Sequence, residues 1–68
     1  MLTNLELTAL RTLPAHCTGQ PQEALRWRGV LYVRYMTQFW RVADGRCEEH
    51  RGMWPNGAMC EGVERVEV

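Results

Sequence analysis

Hydrophobic residues recur at helical spacing in the first part of the chain. Thr3 and Glu6 stand three positions apart, as in a capping box in which each side chain satisfies a free backbone N–H. Pro14 disfavours helical geometry at the residue before it. The pattern therefore predicts a helix over residues 3–13, with an apolar stripe made of Leu5, Ala9, Leu10 and Leu13.

A second, shorter helix is predicted after a loop over residues 14–20. Pro21 suits the first position of a helix, because its missing N–H would have no partner there. Arg26 and Arg28 would fall in the last turn, near the negative end of the helix dipole. Gly29 suits a left-handed C-terminal cap. These signals together predict a helix over residues 21–28.

The segment from Val30 onward carries two competing patterns. Its β-branched and aromatic residues favour a strand, whereas its polar residues recur at helical spacing. The dipeptide Asp44-Gly45 is a strong signal for a two-residue hairpin turn and favours strands on both sides. We therefore predict strands at 30–36, 39–43 and 46–50. In this register Val42 faces Cys47, and Arg41 faces Glu48 as an ion pair.

The last residues, VERVEV, fit a short edge strand whose glutamates discourage pairing with other chains. The predicted fold is α+β, with an N-terminal helix and a short second helix packed on a small antiparallel sheet of three to four strands. At 68 residues the chain is expected to form a single small domain spanning 1–68.

No apolar segment approaches the ~20 residues that span a bilayer, so no membrane partner is expected. The N-terminus lacks the basic segment of a signal peptide, and the three cysteines do not form a disulfide framework. Both features favour a cytoplasmic protein with reduced thiols.

The net charge is zero, but it is unevenly distributed. Residues 24–43 contain four arginines and no acidic residue, whereas residues 44–68 contain six acidic residues and three arginines. The basic middle either pairs with the acidic end of the same chain or faces an acidic partner. A neutral total charge favours protein over nucleic acid, because phosphate contacts need excess positive charge.

Candidate chemistry is sparse. A zinc site would need soft ligands, for which the weak candidates are Cys17, Cys47, His50 and Cys60, with His16 as a further option. Their spacing matches no zinc module, so buried or surface thiols are the simpler interpretation and no cofactor is expected. No glycine-rich phosphate loop is present, and a domain this small has little room for a dry catalytic cleft. We expect the protein not to be an enzyme.

Interleaved arginines and aromatics are the one functional signal, since Trp, Tyr and Arg dominate protein-binding hot spots. The residues predicted to bind a partner are Tyr32, Arg34, Trp40, Arg41, Met53 and Trp54. The expected function is to bind a larger protein and inhibit or modulate it, and a homodimer is a further expectation. The alternative is a small nucleic-acid-binding regulator, either through an open sheet surface or as a winged helix if residues 30–42 are helical.

Taken as a complete short reading frame beginning at Met1, the chain is similar in format to small accessory or inhibitor proteins of phages and mobile elements. This likeness of format covers no specific motif. It therefore assigns no role to any residue.

Overall fold

The computed structural model describes residues 2–14, 17, 19–55 and 60–67. Within these residues, five antiparallel strands form one sheet in the order β4-β3-β2-β1-β5, and one helix packs against it. The helix is α1 (Asn4–Leu10), and the strands are β1 (Glu23–Trp27), β2 (Val30–Tyr35), β3 (Gln38–Ala43), β4 (Arg46–Glu49) and β5 (Glu64–Arg65). The predicted α+β class is confirmed, but the sheet has five strands rather than three to four.

Helix α1 begins with the predicted capping box. The Thr3 backbone N–H donates to the Glu6 carboxylate at 2.9 Å, and the Glu6 N–H donates to the Thr3 hydroxyl at 3.1 Å. The helix ends at Leu10 instead of residue 13. After it, the N–H of Thr12 donates to the carbonyl of Ala9 at 3.0 Å, a tighter turn that leads into Pro14.

The predicted second helix at 21–28 is wrong, because residues Glu23–Trp27 form strand β1. Arg28 and Gly29 both have positive φ, 54° and 78°, as the central residues of a two-residue hairpin turn. Gly29 therefore closes a β-hairpin with β2 instead of capping a helix. Eight residues without a packed apolar face are too few to offset the cost of helix nucleation.

The predicted hairpin at Asp44-Gly45 is confirmed. Asp44 and Gly45 have φ values of 53° and 74°, and Val42 faces Cys47 across the pair of strands. Arg41 faces Glu48 as predicted, but their charged groups form no ion pair in the described structure. Residues 30–35 and 38–43 are strands, so the helix required for a winged-helix arrangement is replaced by sheet.

The two faces of the sheet are covered differently. The helix-side face carries the core, in which Leu31, Val33 and Ala9 are fully buried. Helix α1 packs on this face above β3 and β4. The opposite face, here called the loop-side face, carries the alternate residues of each strand. Its central members are Leu25, Trp27, Tyr32, Arg34, Phe39 and Arg41.

The C-terminal part of the chain connects the two edges of the sheet. Strand β4 lies at one edge, and β5 pairs with β1 at the other, where the N–H of Val66 donates to the carbonyl of Ala24 at 2.9 Å. The predicted terminal edge strand is thus present as Glu64–Arg65. Residues 50–55 cross the loop-side face, where the Trp54 ring contacts Tyr32 and Phe39. Among the described residues, no helix is long and apolar enough to cross a membrane.

Candidate functional site

The loop-side face is an aromatic layer centred on Tyr32. Its ring centroid lies 5.1 Å from that of His50 and 6.4 Å from that of Trp54. Trp54 also contacts Phe39 at 5.1 Å, and Trp27 lies 6.5 Å from Tyr32. Several pairs meet edge to face or tilted, the arrangements that the ring quadrupole favours. The rings therefore form a second small core between the sheet and residues 50–55.

Polar contacts fix the position of this layer. The Trp54 indole N–H donates to the Glu23 carboxylate at 3.0 Å, and the other oxygen of Glu23 lies 3.7 Å from the Arg34 guanidinium. The Trp27 indole N–H donates to the carbonyl of Glu61 at 2.9 Å. The indoles of Trp27 and Trp54 thus each have a ring contact and a hydrogen bond at the nitrogen.

The residues predicted to bind a partner do not form one exposed surface. Tyr32 is only 7% exposed, and Arg34 is tied to Glu23. Trp40 lies on the helix-side face, packed against the core. Met53 is 67% exposed, at the far side of the loop from the sheet. Trp54 and Arg41 are half-buried on the loop-side face.

The candidate metal ligands are also dispersed. Buried Cys17 donates to the side-chain oxygen Oε1 of Gln38 at 3.3 Å, and Cys47 donates to the backbone carbonyl of Ala9 at 3.1 Å. The His50 ring contacts the carbonyl of Met53 on the other face of the sheet. Within the described ranges, no three His, Cys, Asp or Glu side chains are grouped to hold a metal, and His16 lies outside those ranges. Burial raises the pKa of the Cys47 thiol, which favours an unreactive protonated group.

An apolar groove lies on the helix side of the molecule, between α1 and the segment that leads to β1. It encloses about 420 Å³ and is lined mainly by Leu2, Leu7, Leu10, Leu13, Pro14 and Pro21. Tyr35 also lines it, and the Tyr35 hydroxyl donates to the carbonyl of Gly19 at 3.0 Å. Burial is the largest cause of a raised pKa for this hydroxyl. The groove therefore presents aliphatic side chains and a neutral phenol.

The groove also has a positive charge at its margin. Arg11 is the one charged side chain on its described lining, and it forms no ion pair with another described residue. Leu7 on the wall is 44% exposed. Beyond Pro21, Met36 extends the apolar surface, since it is 72% exposed and its sulfur contacts the Gln22 amide at 3.3 Å. The surface is an apolar patch with a basic margin.

The sequence analysis did not identify this groove. The relevant signal is that helix α1 carries apolar residues on more than one side. Ala9 and Leu10 face the core, whereas Leu5 and Leu7 are exposed. A stripe this wide exceeds what one side of a small sheet can cover. The sequence pattern does not predict that Leu13, Pro14, Cys17 and residues 19–21 lie opposite α1 and form the other wall.

Comparison of the chain with protein-family models, with curated proteins and with solved structures finds no significant match. The fold and the groove are therefore interpreted on their own chemistry.

Proposed function

We propose that this protein is a non-enzymatic binding module that attaches to a larger protein through the apolar groove beside α1 and modulates the activity of that protein. The occupant is an extended or helical segment that carries two or more aliphatic side chains and an acidic residue. The supporting observation is the groove of about 420 Å³ with an exposed leucine on its wall.

The apolar character of the groove supports a hydrophobic occupant. Exposed apolar patches with polar margins mark interaction sites on soluble proteins. Filling the groove would remove Leu7 from water, and burying a leucine side chain fully contributes ~1.5–3 kcal/mol. Pro14 and Pro21 lie at its wall, where their rings fix the backbone φ at these two positions and so lower the ordering cost of binding.

The charge of the groove supports an acidic residue in the occupant. Arg11 follows the last residue of α1 as its C-cap and is exposed. No Asp or Glu of the described lining neutralises it. A carboxylate on the partner would pair with the guanidinium at the margin and fix the direction in which the segment lies.

Binding to protein is favoured over binding to nucleic acid by the state of the aromatic residues. Single-stranded nucleic acid needs open rings on which bases stack. On the loop-side face, Tyr32 is 7% exposed and the ring of Trp54 lies against Tyr32 and Phe39. Among the described residues, an open apolar groove lies instead on the helix side, next to Arg11.

Site-specific photocrosslinking tests the proposal. A photoreactive amino acid replaces Leu7 in one preparation and Leu5 in another. Both leucines are exposed residues of α1, but only Leu7 lines the groove. We expect an adduct with a larger protein from position 7 and none from position 5, and mass spectrometry identifies the crosslinked segment.

The purified partner then allows a quantitative test by calorimetry. Leu7→Asp should weaken binding at least about tenfold, because it places a charge in the groove and removes an apolar contact. Arg11→Glu should weaken binding through repulsion of the partner's acid. Circular dichroism of each variant controls for folding. Equal adducts from both positions, or unchanged affinity of both variants, would contradict the proposal.

A further inference from the structure

Strand β4 forms an open edge of the sheet, at the opposite edge from β5. The N–H of His50 donates to the carbonyl of Phe39 at 2.8 Å. In an antiparallel ladder the residues alternate, so positions 46, 48 and 50 bond to β3 while Cys47 and Glu49 direct their N–H and C=O groups outward. The described structure provides no hydrogen-bond partner for these outward groups.

The loop-side face of this edge carries two side chains of opposite charge. Arg46 and Glu48 lie on the same face of the sheet, two positions apart, and both are exposed. Neither forms an ion pair with another described residue. Natural proteins often protect an open edge with charges of one sign, which repel a second copy. An edge whose loop-side face carries one arginine and one glutamate is different, because that face is complementary to itself in the antiparallel direction.

We propose that two copies of this chain pair through their β4 edges, with Cys47 directly opposite its counterpart and Arg46 of each copy opposite Glu48 of the other. The interface is isologous, with a two-fold axis perpendicular to the sheet. The pairing joins two five-stranded sheets into one continuous sheet of ten strands.

The charges select this register over its neighbours. A two-fold antiparallel pairing must centre on a single residue, so that each face of one sheet continues into the same face of the other. With Cys47 at the centre, two Arg46–Glu48 pairs form on the loop-side face. Centring on Glu48 places two carboxylates directly opposite each other, which is destabilising. The arrangement centred on Cys47 also gives its outward N–H and C=O two reciprocal hydrogen bonds.

An apolar residue lies at the same edge. Leu5 of α1 is 59% exposed, and a Cβ built at Gly45 would lie 3.3 Å from its Cδ1 atom. Leu5 thus lies at the start of β4, on the helix side of the sheet. In the paired arrangement Gly45 of one copy comes opposite Glu49 of the other, so the aliphatic stem of that glutamate covers part of Leu5.

Charge reversal and exchange test the register. Sedimentation equilibrium of the full chain at several concentrations gives the dimer dissociation constant of wild type, Arg46→Glu, Glu48→Arg and the double exchange. Each single reversal replaces two attractive pairs by two repulsive pairs, so we expect weakening of at least about tenfold. The double exchange restores both pairs and should bring the dissociation constant back towards that of wild type.

Controls separate this interface from the groove. Arg65→Glu changes a charge on the opposite edge and should leave association unchanged. Leu7→Asp alters the groove and should likewise have no effect on it. Circular dichroism shows whether each variant is folded. A wild-type chain that remains monomeric at millimolar concentration, reversals without effect, or a dimer abolished by Leu7→Asp would each overturn the proposal.

Discussion

The two faces of the sheet are covered by parts of the chain with different internal support. On the helix side, α1 brings its own backbone hydrogen bonds and a capping box, and the side chains beneath it are aliphatic. On the loop side, residues 50–55 have no regular secondary structure. They are held by ring contacts of Trp54 and by its hydrogen bond to Glu23.

This difference indicates which part of the molecule opens first. Packing of Leu31 and Val33, both 0% exposed, is lost only when the sheet separates from its cover. The loop is attached through the rings of His50 and Trp54 and a few hydrogen bonds, so it can detach while the sheet remains intact. The helix-side face is therefore expected to report global unfolding, and the loop-side face local opening.

The largest expected effect tests the helix-side core. Leu31→Ala removes a fully buried side chain from the middle of the sheet and should lower the free energy of unfolding by ~2–5 kcal/mol. For a domain this small, such a loss approaches the whole stability, so the measurement needs a stabilising co-solvent and a denaturant titration. Val30→Ala, a half-buried neighbour on the other face, is the control and should cost clearly less. Equal losses would contradict the assignment of the main core.

The second-largest expected effect tests the packing of residues 50–55 on the loop-side face. Trp54→Ala removes contacts with Tyr32 and Phe39 and should cost ~1–3 kcal/mol, less than the core substitution because Trp54 is half-buried. Hydrogen exchange should then increase for residues 50–55 before it does for β2 and β3. Trp54→Phe keeps a ring but loses the hydrogen bond to Glu23, so an intermediate cost is expected. Uniform exchange in all variants would show that the two faces open together.

The sequence predicted the parts of the fold that local chemistry decides. The capping box of Thr3 and Glu6 and the turn at Asp44-Gly45 are each specified by a few adjacent residues. Their positions were therefore correct to within a few residues. The hairpin register followed from the turn, since a two-residue loop leaves one pairing that places Val42 opposite Cys47.

The incorrect secondary-structure prediction arose where one local signal is compatible with two different structures. Gly29 fits either a helix cap or a hairpin turn, and only pairing of β1 with β2 decides between them. The residues predicted to bind a partner are dispersed for a related reason. Exposure of Tyr32 depends on residues 50–55 crossing the sheet, a contact between segments distant in sequence. Periodicity and composition carry no information about such contacts.

The third prediction tests the local support of the helix-side cover. Thr3→Ala removes the hydroxyl that accepts the Glu6 N–H and should cost ~0.5–2 kcal/mol. Thr3→Ser retains the acceptor and is the matched control. The denaturant midpoint of the alanine variant should fall while that of the serine variant stays near wild type. An unchanged midpoint in both would mean that packing alone holds α1 on the sheet.

The fourth prediction uses pH to test two titratable groups on the helix side of the sheet, in contrast to the loop side. Burial raises the pKa of the Tyr35 hydroxyl and of the Cys47 thiol, both on the helix side. The folded state therefore holds these protons more tightly than the unfolded state, so the contribution of these two groups to stability is constant at neutral pH. It should decline as the pH rises above about 8.5 for the thiol and about 10 for the phenol. Tyr35→Phe should lose ~0.5–1.5 kcal/mol at pH 7 with its hydrogen bond to Gly19, and should decline less steeply above pH 10. Parallel curves for the two proteins would contradict the assignment.

The smallest expected effect separates charge from packing on the loop side. Glu23→Gln removes the ion pair with Arg34 but leaves an oxygen that accepts the Trp54 indole N–H. The Arg34 side chain is 34% exposed, so solvent screens the pair and the loss should stay below ~1 kcal/mol. Glu49→Gln is the control, because its partner Arg51 is 88% exposed and the change should have no measurable effect. Urea midpoints at low and high salt measure both. If the Glu23 variant loses as much as Trp54→Ala, charge rather than ring packing attaches the loop to the sheet, and the loop-side face would be an electrostatic layer instead of a second apolar core.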